Sequence, residues 1–369
     1  MKLTSAFLAL TLLVAAVYAD CYMHNPRGSN NKLNDENNNT QNQNRLFDSQ
    51  NNAKGGVHYG PGIYYYIDSE MAVEWTNQHA CGRNGKTNCE IVMQRMCEPT
   101  LRDGDATQGA NARQTYDPAQ ADNEAGNAIR GRHETGQWYN DCNARERNKG
   151  LFAADQNVND NNGASATRQN AGATRYGTEC AEERDYYPYW HPTPWKDIAV
   201  TTNNITACPM YQEQSGNVMA KGICSVAAHN NPDSCAAGGG QWTTGGEHGI
   251  ETVDCIQSLY SRDNHLGNGV NGYANSYNWT IPNDANPNCV LRTRYNISTD
   301  DYDGWNTFSE SNGAANSPVV NDPAVDIGLP NELQLAINTA QFGRTFEDRS
   351  QAFEVKARPS EVPAGVKIY

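Results

Sequence analysis

Eleven cysteines, running from Cys21 to Cys289, constrain this chain more than any other feature of its sequence. Behind an export signal, cysteines in such number read as disulfide bridges, because an oxidising compartment keeps them paired. The signal is there. Met1-Lys2-Leu3 gives a positive start, an apolar run extends from Ala6 to Val17, and Val17-Tyr18-Ala19 sets small side chains at the two outer positions. Charge, apolar core and a small-x-small site together make a secretory signal peptide and predict cleavage after Ala19. The run is too short to span a bilayer, and no later stretch reaches the roughly 18 apolar residues a membrane helix needs. The expectation is a secreted, extracellular protein with residues 1–19 as signal peptide.

The cysteine count is odd, so one thiol is free or forms an intermolecular disulfide. No Cys-x-x-Cys spacing occurs, which removes zinc-ribbon and thioredoxin-like readings. Sequence leaves the connectivity open. The nearest partners fall within Cys81, Cys89 and Cys97, and within Cys208, Cys224 and Cys235.

Four Asn-x-Ser/Thr sequons, at Asn38, Asn204, Asn278 and Asn296, predict a glycoprotein with those positions at its surface. Chance is the alternative, since the chain is rich in Asn. The formal net charge is −14, and the leader carries Lys2 and no acid, so the mature chain is one unit more negative. That balance argues against nucleic acid or an anionic membrane as partner.

Only 37% of residues are hydrophobic, which suits a modest core under many turns and long loops. Ile63-Tyr64-Tyr65-Tyr66-Ile67, the turn Asp68-Ser69-Glu70 and Met71-Ala72-Val73-Glu74-Trp75 read as a β-hairpin. Glu90 to Met96 reads as a third strand, with Cys89, Ile91, Met93, Arg95 and Cys97 on one face at period two. Further strands are expected at Lys196–Thr201, Asn278–Ile281, Cys289–Ile297, Ala324–Ile327, Leu333–Thr339 and from Phe346 to Arg358, with one short helix near Asn143–Lys149. Helical periodicity is otherwise scarce. The predicted class is mainly β: an antiparallel immunoglobulin-like β-sandwich with long disulfide-tied loops. Residues 20–369 are expected to form a single sandwich domain with long insertions, residues 205–255 making a small disulfide-rich element.

Several segments carry a family likeness. They are Asp20-Cys21-Tyr22-Met23-His24-Asn25-Pro26-Arg27-Gly28-Ser29-Asn30, Arg45-Leu46-Phe47-Asp48-Ser49-Gln50-Asn51-Asn52, Trp75-Thr76-Asn77-Gln78-His79-Ala80-Cys81-Gly82, Arg184-Asp185-Tyr186-Tyr187-Pro188-Tyr189-Trp190-His191-Pro192 and Gln341-Phe342-Gly343-Arg344-Thr345-Phe346-Glu347-Asp348-Arg349-Ser350. Through them the whole mature chain resembles the DD3-3-like family of secreted glycoproteins first noticed in cellular slime moulds. The resemblance implies secretion and glycosylation but no particular activity. A more remote resemblance is to lytic polysaccharide monooxygenases. It rests on a processed N-terminus with Pro26 six residues on, and on the strand Cys289-Val290-Leu291-Arg292-Thr293-Arg294-Tyr295. Those enzymes hold copper through the amine and ring of an N-terminal histidine plus a second histidine. Here Asp20 stands at the new terminus and His24 has no free amine, so that brace is absent.

Three groups of residues could carry chemistry. His24, His79 and His191 are nitrogen donors suited to copper or zinc, against the alternative of three unrelated histidines bonded to nearby loops. Tyr186, Tyr187, Tyr189, Trp190 and Trp195, stiffened by Pro188, Pro192 and Pro194, form an aromatic ribbon suited to stacking on sugar rings. The alternative is that these rings fold inward over a small core. Asp301, Asp303 and Glu310 nearly match a twelve-residue calcium loop, with Thr299 at its first position, against an ordinary acidic turn. Hydrolase signatures are missing: no Gly-x-Ser-x-Gly occurs, and the glycines around Gly238-Gly239-Gly240 do not lead to Gly-Lys-Ser/Thr. The function expected is therefore non-catalytic, that of a secreted, disulfide-bonded glycoprotein with a structural or glycan-associating role. Its expected partner is a polysaccharide or the extracellular matrix. The alternative is a copper-dependent oxidase related to lytic polysaccharide monooxygenases, with a rearranged histidine site.

Overall fold

A computed structural model gives the fold. It describes residues 21–26, 48–49, 52–53, 57–59, 63–77, 87–98, 102–103, 128–130, 132–133, 187–226, 229, 231–258, 269, 272–299, 324–325, 330, 333–334, 344–363, 366 and 368. The main strands are β1 Cys21–Asn25, β2 Ile63–Tyr66, β3 Glu70–Asn77, β4 Thr87–Cys97, β5 Lys196–Thr202, β6 Gly222–Cys224, β7 Trp242–Thr244, β8 Asp254–Gln257, β9 Asn275–Thr280, β10 Asn286–Thr299 and β11 Arg344–Lys356. Two short helices, α1 Cys208–Gln214 and α2 Pro232–Ala237, follow a 3-10 turn at Ile205–Ala207. The mainly β, disulfide-tied class expected from the sequence is the class observed.

Two sheets carry the architecture. The smaller is antiparallel, in the order β1-β3-β9. The larger runs β8-β5-β4-β10-β11 and continues through the short pair Asp48–Ser49 and Asn52–Ala53, with β2 also paired to β11. Most pairings are antiparallel; β5 with β8 and β11 with β2 are parallel. The two sheets share one core. Met23, Met71, Val73, Trp75, Trp279 and Ile281 come from the small sheet and its exit, and Ile91, Met93, Leu291, Tyr295, Phe353 and Val355 from the large one. Trp279 meets Phe353 edge to face at 6.1 Å. Each such side chain withdrawn from water contributes about 2 kcal/mol.

The hairpin expected at residues 63–75 does not form. β2 joins the large sheet beside β11, whereas β3 is the centre of the small sheet. The segment between them is a corner from one layer to the other. Its backbone bonds reach both sheets: Ile67 N–H donates to Lys356 O at 2.9 Å, and Asp68 N–H to Ile281 O at 2.9 Å. Asp68 adopts a left-handed φ of 59° to make that turn. Turn-like residues between two apolar runs announce a change of direction; which sheet each run joins depends on partners far away in sequence.

Cysteine pairing departs from proximity in the same way. Cys97 bonds Cys289 across adjacent strands, where β4 and β10 place the two directly opposite, 192 residues apart in sequence. Cys208 bonds Cys255, tying α1 to β8, and Cys224–Cys235 closes a short local loop. Cys89 is disulfide-bonded as well. Any cysteine left over is thus one of Cys21, Cys81, Cys142 and Cys180. The helix expected near Asn143–Lys149 lies outside the described residues, as do residues 1–19, expected to be a signal peptide. Among the described residues no helix is long and apolar enough to cross a membrane.

Candidate functional site: an indole-lined cleft over a buried polar layer

Strand alternation gives the large sheet two buried faces. On β4, Cys89, Ile91 and Met93 enter the main core, as their period-two spacing predicts. The opposite face, carrying Glu90, Val92, Gln94 and Met96, is buried too. It is covered by the segment 187–258, which folds back over β5, β4 and β10. A second apolar cluster forms there from Val92, Tyr187, Tyr189, Val200, Tyr211 and Val253.

Within this layer lies a closed polar network. β10 alternates Val290, Arg292 and Arg294 onto the covered face, and both arginines are fully buried. Gln94 Oε1 accepts from Arg292 Nη2 at 2.6 Å, Arg292 Nε at 3.1 Å and the Tyr189 hydroxyl at 2.9 Å. The same Tyr189 oxygen accepts from Arg292 and Arg294, each at 3.1 Å. Gln94 Nε2 donates to Asp197 Oδ1 at 2.8 Å. A bulge in β5, between Asp197 and Ala199, lets both Ile198 and Ala199 join the main core while Asp197 stays opposite Gln94. Ser215 Oγ donates to Asp197 Oδ2 at 2.6 Å, and Asn217 exchanges bonds with the Asp197 backbone at 3.0 and 2.9 Å.

Burial pushes the Asp197 carboxyl above its ordinary value, and the bonds from Gln94 and Ser215 pull it partly back. The Tyr187 hydroxyl lies close enough to act on that charge but falls short of hydrogen-bond geometry. Burial likewise raises Tyr187 and Tyr211 well above the usual phenol value, Tyr211 while donating to Glu90 Oε1 at 3.0 Å. His248 is lowered by burial; its Nε2–H donates to Trp195 O at 3.0 Å, which fixes the neutral tautomer. Gln94, Tyr189, Asp197, Tyr211, Ser215 and both arginines bond one another or Glu90 within this buried layer, so they bind the covering segment to the sheet rather than meeting a ligand.

The aromatic ribbon is the lid of this layer. Tyr187, Tyr189 and Trp195 are buried, and Tyr186 lies outside the described residues. His191 is buried, stacked on Tyr189 at 5.9 Å with its Nδ1 against Pro192 O at 2.7 Å. Trp190 alone of the described ribbon rings turns outward. It stands edge-on to His191, with ring centroids 5.8 Å apart and planes at 85°. There it lines an open cleft of about 320 Å³ together with Trp242, Met219, Lys221, Gln214 and Thr244. Lys221 Nζ donates to Gln214 Oε1 at 2.9 Å. Trp242 lies on the β6–β7 hairpin, its indole directly over Gly222. A Cβ on that glycine would come within 2.3 Å of Trp242 Nε1.

The candidate ligand sets fare differently. His24 projects from the outer side of the small sheet, where its Nε2 meets Thr76 Oγ1 at 3.0 Å and burial lowers its pKa. The main core and the large sheet stand between it and His191, so the structure does not bring these two together. His79 lies outside the described residues, as do Asp301, Asp303, Glu310 and Asn38. Among the described residues no cluster of three His, Cys, Asp or Glu could hold a metal. Asn278 and Thr280 are exposed on β9, at the edge of the small sheet. Asn204 Oδ1 accepts from Thr206 Oγ1 at 2.5 Å within its own sequon. Asn296 lies in β10, paired on both sides by β4 and β11.

Trp242, Arg292 and Arg294 escaped the reading of the sequence. Period two would have put both arginines on one face of their strand. No signal said that this face is covered.

The fold and site define a mainly β, disulfide-tied protein with a sealed polar layer and an indole-lined cleft at its surface. The DD3-3 N-terminal domain family matches residues 19–355, and the chain belongs to that family. A search of curated proteins and a search of solved structures each found no match.

Proposed function

We propose that this chain is a secreted, disulfide-bonded glycoprotein that associates with extracellular glycan and performs no catalysis. The observation that carries the reading is the Trp190–Trp242 cleft, where two rigid indoles meet solvent beside polar side chains. The buried network supports the absence of catalysis in the described part of the chain. Its two arginines lie where no substrate reaches them, Arg292 at 1% and Arg294 at 0% exposure. Disulfides between distant segments suit an oxidising compartment. Among the described residues, Asn278 is exposed with its Thr280 on an edge strand and suits a glycan acceptor.

The test is expression with the native leader in a eukaryotic host. The mature protein is expected in the medium, beginning at Asp20, with a mass that falls on enzymatic deglycosylation and falls by one glycan fewer in Asn278→Gln. Retention on a panel of immobilised polysaccharides then tests association. Stoichiometric copper in the purified protein, with oxidative cleavage of any of those polysaccharides, would replace this reading by the oxidase one.

A further inference from the structure

We propose that the cleft between Trp190 and Trp242 takes a neutral, β-1,4-linked pyranose chain, such as a cello- or chito-oligosaccharide. The proposal deepens the glycan-associating reading and rests on it. Ligand sites for small molecules begin at about 300 Å³, so a cleft of about 320 Å³ open on one side suits one sugar unit of a longer chain. In a β-1,4-linked gluco-configured chain every ring substituent is equatorial. Each ring therefore shows a flat face of axial C–H groups, whose weak positive charge complements the electron-rich face of an indole. Equatorial hydroxyls then point sideways, towards Lys221, Gln214 and the exposed Thr244. The formal charge of −14 disfavours sulfated or uronic chains, which leaves a neutral saccharide as the matching class.

Both indoles are held before any ligand arrives, which lowers the ordering cost of binding. Trp190 stands on the His191 ring, itself stacked on buried Tyr189, whose hydroxyl is anchored by Gln94 and both arginines. Trp242 rests over Gly222 on the adjacent strand. The Cys224–Cys235 bridge closes the loop between the two strands, and Gly245 N–H bonds Lys221 O at 2.8 Å just beyond them. The buried polar layer thus acts as a foundation for a binding surface.

The experiment is titration calorimetry of the full secreted protein with cellohexaose, chitohexaose and a heparin hexasaccharide. Trp190→Ala, Trp242→Ala, Gly222→Ala and the remote exposed Tyr273→Ala are compared with the native chain. Expected is binding of a neutral oligosaccharide, weakened about tenfold or more by each tryptophan change and by Gly222→Ala, and unchanged in Tyr273→Ala. Native affinity retained in both tryptophan variants would overturn the cleft while leaving glycan association intact. Binding of heparin alone would overturn the neutral class. Binding of none of the three by the native chain, together with no retention on the polysaccharide panel, would overturn both readings. Should a variant fail to fold, the native chain still decides: saccharide binding with no change in tryptophan emission would count against the cleft.

Discussion

The Arg292 guanidinium lies 3.6 Å above the ring centroid of Trp195, and both side chains are buried. Cation and ring close one end of the polar layer, while the other guanidinium contacts run to Gln94 and Tyr189. Such an arrangement draws on the planar, delocalised charge of arginine, which stacks and donates sideways at once. Replacing Arg292 by Met is expected to cost about 3 kcal/mol or more, since it removes three buried hydrogen bonds to Gln94 and Tyr189 and the stacking of the cation on Trp195. Arg292→Lys should recover little of this, lacking the planar fork. The midpoint of urea unfolding measures both; an unchanged midpoint in Arg292→Met would show the network to be dispensable.

Cys97 and Cys289 join the two central strands of the large sheet. Because the bridge closes a long stretch of chain, the Cys97→Ser, Cys289→Ser pair should lose about 2–5 kcal/mol of stability. The same change at Cys224 and Cys235, only 11 residues apart, should cost less. Thermal unfolding of the two double variants under non-reducing conditions ranks them.

Stability should decline in mild acid. His248 and His24 both have pKa values lowered in the folded state, from an ordinary value of 6.5, because burial disfavours the imidazolium. The unfolded chain then binds more protons below that value, so their contribution is fully present above about pH 6.5 and is lost as pH falls towards the folded pKa values. Asp197 is raised in the folded state and acts in the opposite sense: its contribution is greatest near and below 3.8 and fades as pH rises. Comparing the melting temperature between pH 7.5 and 5 in the native chain and in His248→Gln tests the assignment. The variant should show the shallower decline.

The corner at Asp68 predicts a contrast between two small substitutions. Its φ of 59° is tolerated by Asp and free of cost for Gly, but crowds a β-branched side chain. Asp68→Gly is expected to be neutral or slightly stabilising, and Asp68→Val to lose about 1–2 kcal/mol. Equal melting temperatures in the two variants would speak against the left-handed turn.

Much of this was legible in the residues. Period two along Cys89–Cys97 identified the face of β4 that enters the main core, and Cys289–Ile297 marked the core of β10. Crowding of aromatics and prolines around His191 marked a rigid segment of consequence. Its rings turned inward at Tyr187, Tyr189 and Trp195 and outward at Trp190, a division the sequence left open. Trp242 was passed over because its neighbours are glycines and polar residues. Only the hairpin, stapled by Cys224–Cys235, carries it to the same cleft.

By itself the sequence determined the class of molecule. Abundant cysteines, short alternating strands and a helix-poor chain lead to a disulfide-tied, mainly β protein, because composition and local periodicity are properties of near neighbours in the chain. The tertiary structure decided which strands share a sheet, which cysteines meet, and which face of a strand is covered. It split residues 63–75 between two layers, paired Cys97 with Cys289, and roofed Arg292 and Arg294 with Tyr189 and Trp195. Each of these depends on partners about a hundred or more residues away. The free energy that selects them is that of packing and of satisfied buried polar groups, which no local stretch of sequence contains.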